Sequence, residues 1–276
     1  MLNSKSLKVN RKGSLCFITS EKLGQFNNLC HAFTTRKGGL STGYFSEMNL
    51  SFTTGDNRET VIKNYENLCE ALEINPQHLV LSRQTHTANI KIVTKSDCGK
   101  GIYKPFDYSD VDALVTNTPG VAIVTHSADC CLLGFFDPQK KVIASAHAGW
   151  RGTVKEIGKK TVQTMQQQFG CNPDDIIAFI APSIGKCCYE VDDPVYSEFL
   201  KLTYLDIDSI FTGKPNGKYM LDLWEANRQI LINSGIRNAN IDITDLCTNC
   251  HCDEFHSHRA TAGKRGVNGL IMEMRE

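Results

Sequence analysis

Apolar runs broken by short polar turns are densest between Val121 and Gly152, VAIVTHSADCCLLGFFDPQKKVIASAHAGWRG, and the elements they predict frame the rest of the chain. The runs read as a strand VAIVTH, a sharp turn carrying Asp129 and Cys130, a strand LLGFF, a turn at Asp137-Pro138, and a strand VIASAH ending on His147. After Ala148-Gly149-Trp150-Arg151-Gly152, Thr153 and Glu156 have the spacing of a capping box, and a helix is expected to start there. Its apolar positions Val154, Ile157, Thr161/Val162, Met165 and Phe169 keep a helical spacing, and Gly170 suits the left-handed position that ends it. The start of this helix falls a few residues after His147, a setting that favours an anion.

Elsewhere, Ser14 to Thr19 and His31 to Thr34 read as short strands, and the glycine-rich stretch between Phe33 and Leu50, carrying Arg36, reads as a loop. Asp56-Asn57 can cap a helix over Glu59 to Leu72, whose apolar residues fall on one face. Leu79-Val80-Leu81, Ile90 to Val93 and Ile176 to Ala181 read as strands, Asp110 to Thr116 and the Pro119-Gly120 turn lead into the central stretch, and helices are expected at Pro194 to Lys201 and Leu221 to Asn233, the latter stopped by Gly235. Strands and helices mix without regular alternation, so the fold class is read as α+β.

Composition narrows the partners more than the fold. No linker, low-complexity run or repeat divides the chain, so residues 1–276 are expected to form a single domain. Thirty Lys and Arg balance thirty Asp and Glu, which leaves no electrostatic footprint for nucleic acid or an anionic membrane. No apolar run has the length of a membrane span and the first residues lack a signal-peptide pattern, so a cytoplasmic protein, monomeric or homodimeric, acting on small molecules is expected. In a reducing compartment most of the twelve cysteines would be small buried hydrophobes, with a minority left for metal or catalysis.

Two groups of residues carry candidate chemistry. His86, Cys130 and His147 come from separate segments, each near a strand end, and two imidazoles with a thiolate suit a tetrahedral zinc ion whose fourth position is left for water. The competing reading is a buried cysteine and two hydrogen-bonded histidines. The tail offers Cys247-Thr-Asn-Cys250, to which His256 and His258 could add a second ligand pair for a local zinc site. Its alternatives are a loop lining a pocket with Arg259 and Arg265, or packed cysteines.

Seven blocks then resemble, in order, the motifs of the YfiH-like laccase-domain (polyphenol oxidase) family: Thr34-Thr-Arg-Lys-Gly-Gly39 with Ser41, Gln84-Thr-His86, Asp112-Ala-Leu-Val-Thr116, Ala128-Asp-Cys130, His147-Ala-Gly-Trp-Arg-Gly152, Gly185-Lys-Cys-Cys-Tyr-Glu-Val191, and Cys247-Thr248 with Ser257-His-Arg259. They extend over nearly the whole chain. The resemblance implies a single-domain α/β/β/α sandwich of mixed sheets flanked by helices. It also implies a zinc-dependent purine nucleoside phosphorylase acting on adenosine, inosine and S-methyl-5′-thioadenosine, with adenosine deaminase activity, and it assigns the metal to His86, Cys130 and His147. Copper suits the chain less well, since a multicopper centre needs more histidines than the eight here provide. Arg36 and Arg259 are candidates for phosphate or ribose, with Arg151 in reserve, because a guanidinium fork matches phosphate oxygens. Asp129 is a candidate proton shuttle for deamination, or merely a residue that orients a ligand or caps a turn. A cysteine hydrolase with Cys130 as nucleophile and His147 as base is the alternative enzyme, and the tail is expected to close over the pocket and bring Arg259 toward the metal.

Overall fold

The computed structural model describes residues 2–275. In chain order the strands and α-helices are β1 (Leu7–Lys12), β2 (Leu15–Ser20), β3 (Leu29–Thr34), α1 (Arg58–Leu72), β4 (Leu79–Leu81), β5 (Ile90–Ile92), β6 (Ala113–Thr116), β7 (Ala122–Ser127), β8 (Cys131–Asp137) and β9 (Val142–Ala148). There follow α2 (Trp150–Val154), α3 (Ile157–Phe169), β10 (Ile177–Ile180), β11 (Glu190–Val191), α4 (Asp193–Leu200), α5 (Ile207–Ile210), β12 (Phe211–Gly213), β13 (Tyr219–Leu221), α6 (Leu223–Asn233), β14 (Ile241–Ile243), α7 (His258–Thr261) and β15 (Asn268–Met274).

Two six-stranded sheets, β1-β2-β3-β15-β7-β4 and β14-β10-β8-β9-β6-β5, carry the architecture, with a small sheet β11-β13-β12 beside them. Both large sheets are mixed: β4 runs parallel to β7, β5 to β6 and β14 to β10, while the other neighbours are antiparallel. Side-chain alternation sorts their apolar residues into three layers. Ile18, Phe33, Ile123, Leu270 and Met272 of the first sheet meet Leu114, Leu132, Phe136, Ile143 and Phe179 of the second in a core between the sheets. The next residues along these strands face outward: Ala32, Val124 and Ile271 pack under α1, whereas Leu133, Phe135, Ala144 and Ala146 pack under α3 and α6. The expected α+β class and α/β/β/α layering are therefore present. Because β8 and β9 are buried on both faces, they read as nearly continuous apolar runs.

Most predicted elements occur within a residue or two of their expected ends. Asn57 caps α1 by accepting the Thr60 amide, and Gly170 ends α3 with a left-handed φ of 66°. The capping box does not form. Instead of one helix from Thr153 there are two, because Glu156 adopts a left-handed φ of 58° between α2 and α3. The Thr153 hydroxyl donates back to the Ala148 carbonyl at 3.2 Å, and the Glu156 carboxylate receives Lys159 at 3.1 Å and Tyr204 at 2.6 Å. Only α2, five residues long, starts near His147, so the extended helix dipole expected to favour an anion there is missing.

Candidate metal centre

The site is built on one buried carboxylate. Asp112, just before β6, accepts the backbone N–H groups of Thr85 (3.1 Å), His86 (3.0 Å) and Thr87 (2.9 Å) and the Thr87 hydroxyl (2.8 Å). The loop after β4 is thereby wrapped around it, with His86 held at a φ of 63° that a residue bearing a Cβ rarely adopts. Asp112 also accepts Nδ1 of His147 at 2.9 Å, which fixes that nitrogen as the donor and leaves Nε2 available to a metal. His147 shares a face of β9 with Ile143 and Ser145, the face turned toward the first sheet. Cys130 sits in the turn between β7 and β8, where the Ser127 hydroxyl donates to its carbonyl at 2.7 Å.

These elements bring His86, Cys130 and His147 together. Their ligand atoms lie within 4.8 Å of one another, a spacing that lets all three reach one ion. The two imidazoles meet edge to face at an interplanar angle of 78°. Gly149 closes the cradle from below: a Cβ there would stand 2.8 Å from Cys130 Sγ and 3.3 Å from His86 Cδ2. The donor set fits a borderline-soft divalent ion, with imidazole nitrogens and a thiolate on one side only.

Charge within the cluster is organised to favour the thiolate. Burial pushes the Cys130 thiol up, but His147, and hydrogen bonds from both histidines, override it and bring it down to about 6. Burial likewise opposes protonation of His147, but Cys130 and Asp112 raise it to about 9. Asp112 is buried, yet its bonds to His147, Thr85 and Thr87 hold its carboxyl well below the usual range. Tyr189 and Arg265 complete the surroundings: the Tyr189 hydroxyl is raised by burial and then by Cys130, and burial lowers the Arg265 guanidinium despite Asp129 and Cys130.

The remaining sequence candidates serve the tail as much as the centre. Asp129, at a φ of 89°, accepts the Thr248 hydroxyl on one carboxylate oxygen and the Arg259 backbone N–H on the other, both at 2.6 Å. The Arg259 guanidinium donates to the carbonyls of Cys188 (3.2 Å) and Glu190 (3.0 Å) and lies over the Tyr189 ring. Arg36 donates Nε to the Ser46 carbonyl and Nη1 to the Cys252 carbonyl. Arg151 is exposed and stacks on Trp150, with 4.3 Å from its guanidinium carbon to the ring centroid.

The tail thus folds against the Asp129 turn, but His256 and His258 do not join its cysteines. His256 is buried and accepts the Gly266 amide, while His258 pairs with Arg265 at 3.4 Å. The side chains beside Cys247 and Cys250 are instead Cys187 and Cys188. The spacing of the tail alone could not reveal this pairing, because the partners come from a loop some sixty residues upstream. Nothing local in the sequence marks Asp112 as the organising group. A buried carboxylate preceding a strand, with Thr-His-Thr on a separate loop, carries no local periodic signal.

Comparison with known proteins places these features in context. A family model described as multi-copper polyphenol oxidoreductase laccase matches residues 30–275. The chain is 35% identical over 256 residues to a purine nucleoside phosphorylase of Bacteroides thetaiotaomicron, covering 91% of this chain and 94% of that one. It is 33% identical over 245 residues to adenosine deaminase RL5 from an unknown prokaryotic organism, covering 86% and 89%. The crystal structure of the Bacillus licheniformis hypothetical protein YfiH superposes with a TM-score of 0.91 at 33% identity, over 98% of this chain and all of that one. With the match extending from β3 into the last strand and the sandwich shared throughout, the chain belongs to the multi-copper polyphenol oxidoreductase laccase family, to which YfiH is a structural neighbour.

Proposed function

We propose that this protein is a zinc-dependent purine nucleoside phosphorylase, on a single domain spanning residues 1–276. In this reading it converts adenosine, inosine and S-methyl-5′-thioadenosine to the free base and the corresponding ribose 1-phosphate, and also deaminates adenosine. The observation that carries the reading is the His86–Cys130–His147 cluster, three donors fixed by Asp112 and by the glycine at 149. A zinc ion held there would polarise a bound water or a leaving purine without itself changing oxidation state. The relatives named for purine nucleoside phosphorolysis and adenosine deamination support this chemistry. Multicopper oxidation is less well served, since this cluster contributes only two imidazoles.

The chain's own groups divide the work. Asp112 keeps His147 in the tautomer that presents Nε2, and its three backbone donors hold His86 in place. Asp129, with both oxygens engaged by the tail, acts as a positioning residue for Arg259 and the turn before Cys130. For phosphate, Arg36 remains the first candidate, and Arg265 joins it. Burial, followed by the charge of Arg36 and, more weakly, that of Arg265, lowers His256 to about 3. Arg265 Nε is buried without a hydrogen-bond partner among the described residues, which leaves it available to an anion. Arg259 has both terminal nitrogens on carbonyls and contributes through the tail, and Arg151 is the reserve.

The purified protein should be incubated with adenosine with and without phosphate. Ribose 1-phosphate with adenine marks phosphorolysis, inosine marks deamination, and neither product removes the proposal. The low thiol and raised imidazole of Cys130 and His147 also favour a second reading, a cysteine hydrolase. Thiol labelling separates the two: zinc protects a ligand, whereas a nucleophile is alkylated and inactivated in the metal-loaded protein.

A further inference from the structure

Away from the proposed centre, four cysteines from two turns converge on one point. Cys187 and Cys188 follow Gly185 in the loop after β10, and Cys247 and Cys250 flank the turn after β14. Their sulfur atoms all lie within 4.8 Å of one another. Cys250 Sγ is 3.5 Å from Cys187 Sγ and 3.4 Å from Cys188 Sγ. Thiolates around a tetrahedral zinc at about 2.3 Å are about 3.8 Å apart, so the spacing is that of ligands around one ion. All four are free cysteines.

The surroundings match a thiolate site in a second, independent way. Cys247 Sγ accepts the Gly185 backbone N–H at 3.2 Å and is also approached by the amides of Asn249 and Cys250, donors that offset negative charge on sulfur. The two turns are joined by backbone pairing, with Thr248 N–H donating to the Ser183 carbonyl at 3.0 Å. Gly185 permits the approach, since a Cβ there would stand 3.0 Å from the Trp224 ring and 3.3 Å from Cys247 Cβ. Exposed, clustered thiols are otherwise reactive, and Cys187 and Cys250 are both exposed.

We infer that Cys187, Cys188, Cys247 and Cys250 form a closed, four-thiolate zinc site that pins the tail to the loop after β10. Four protein ligands leave no position for substrate, so the ion is structural. Its location explains what it holds. Thr248, inside the cysteine turn, donates to Asp129, and Arg259 reaches the carbonyls of Cys188 and Glu190 beside the other pair. The site therefore fastens the strap that packs against the turn bearing Cys130.

Protein purified under reducing conditions with added zinc should be compared with the Cys187→Ser/Cys250→Ser double variant by elemental analysis, freed of loose metal by gel filtration. The double variant should bind about one zinc per chain fewer than the parent, whatever the His86–Cys130–His147 centre holds. Zinc should also protect all four thiols of the parent from alkylation, mapped by mass spectrometry, a measurement that does not depend on a variant folding. Cobalt substitution should give the intense sulfur-to-metal charge-transfer bands of four thiolates. Equal zinc content in parent and variant, equal labelling with and without zinc, or iron retained in place of zinc would each overturn the assignment.

Discussion

The two cysteine-containing clusters use the same element of chemistry in opposite ways. At His86–Cys130–His147, three donors are held by a buried carboxylate, two residues carry left-handed backbone conformations, and Gly149 leaves room for a tight approach. At Cys187–Cys188–Cys247–Cys250, four thiols, two of them exposed, gather on two turns, and the Gly185 amide of one turn donates to Cys247 of the other. A cluster with three donors set among buried groups suits chemistry; one with four donors between two chain segments suits fastening. The difference lies in what holds the ligands. The first is built by the fold and should survive without metal, whereas the second should hold its own two turns together.

The largest expected effect breaks the first cluster alone. Cys130→Ala should lower kcat/KM for adenosine by on the order of 10³-fold or more, with near-native circular dichroism and unchanged zinc at the four-cysteine site. Loss of structure in the same variant would show that the first site is as much a fastener as the second. Asp112→Asn comes next. The amide cannot accept from His147 Nδ1 and three backbone amides as a carboxylate does, so metal affinity and turnover should fall by about 10–100-fold, with roughly 3 kcal/mol lost from stability in denaturant. Retained affinity would place control of His147 elsewhere.

Arg36→Lys tests the phosphate assignment. A lysine loses the paired hydrogen bonds, so the phosphate KM should rise about tenfold while phosphate-independent deamination stays nearly intact. Equal loss of the two activities would mean that the bonds of Arg36 to the Ser46 and Cys252 carbonyls matter more than any bond to phosphate. The comparison would then shift, because Arg36 would belong with the cysteines as a fastener of the tail.

How much of this was legible along the chain follows from how local each signal is. β7 through β9, α1 and the stop at Gly170 were readable because their apolar spacing and turn residues are contiguous. β15 was not assigned: its apolar run is interrupted by Asn268, Gly269 and Glu273, and only the presence of β3 and β7 on its two sides makes it a central strand. β1, with Lys8, Asn10 and Arg11 outward, is an edge strand whose polarity hid it. The Thr153/Glu156 pattern misled because Tyr204 and Lys159 compete for the Glu156 carboxylate. The convergence of His86, Cys130 and His147 was anticipated from strand ends and motif order, but the cysteine quartet required the tertiary fold.

The smallest effect concerns acid, the condition under which metal loss from either cluster would naturally be compared. His31 lies in the shared sandwich, where Nε2 accepts the Ser20 amide at 2.9 Å and the ring meets Phe179 edge to face. Burial lowers it from 6.5 to about 4, against the nearby Asp242 carboxylate. Lys22 is already paired with Asp242, and Lys8, Glu21, Glu73 and Arg275 line the same cleft as His31. A folded-state pKa below the unfolded one means that the unfolded chain binds more protons between these values, so stability falls as pH drops from about 6.5 to about 4. By about pH 5 the loss from this group alone should be roughly 2 kcal/mol, independent of either metal. His31→Gln can still present an acceptor to the Ser20 amide but does not titrate, so its stability between about pH 7 and about pH 5 should decline less steeply than that of the parent. Denaturant titrations of the two metal-free proteins at both pH values measure the difference. If the slopes coincide, His31 is not a source of the acid sensitivity, and acid loss of zinc can be read from the clusters without this correction.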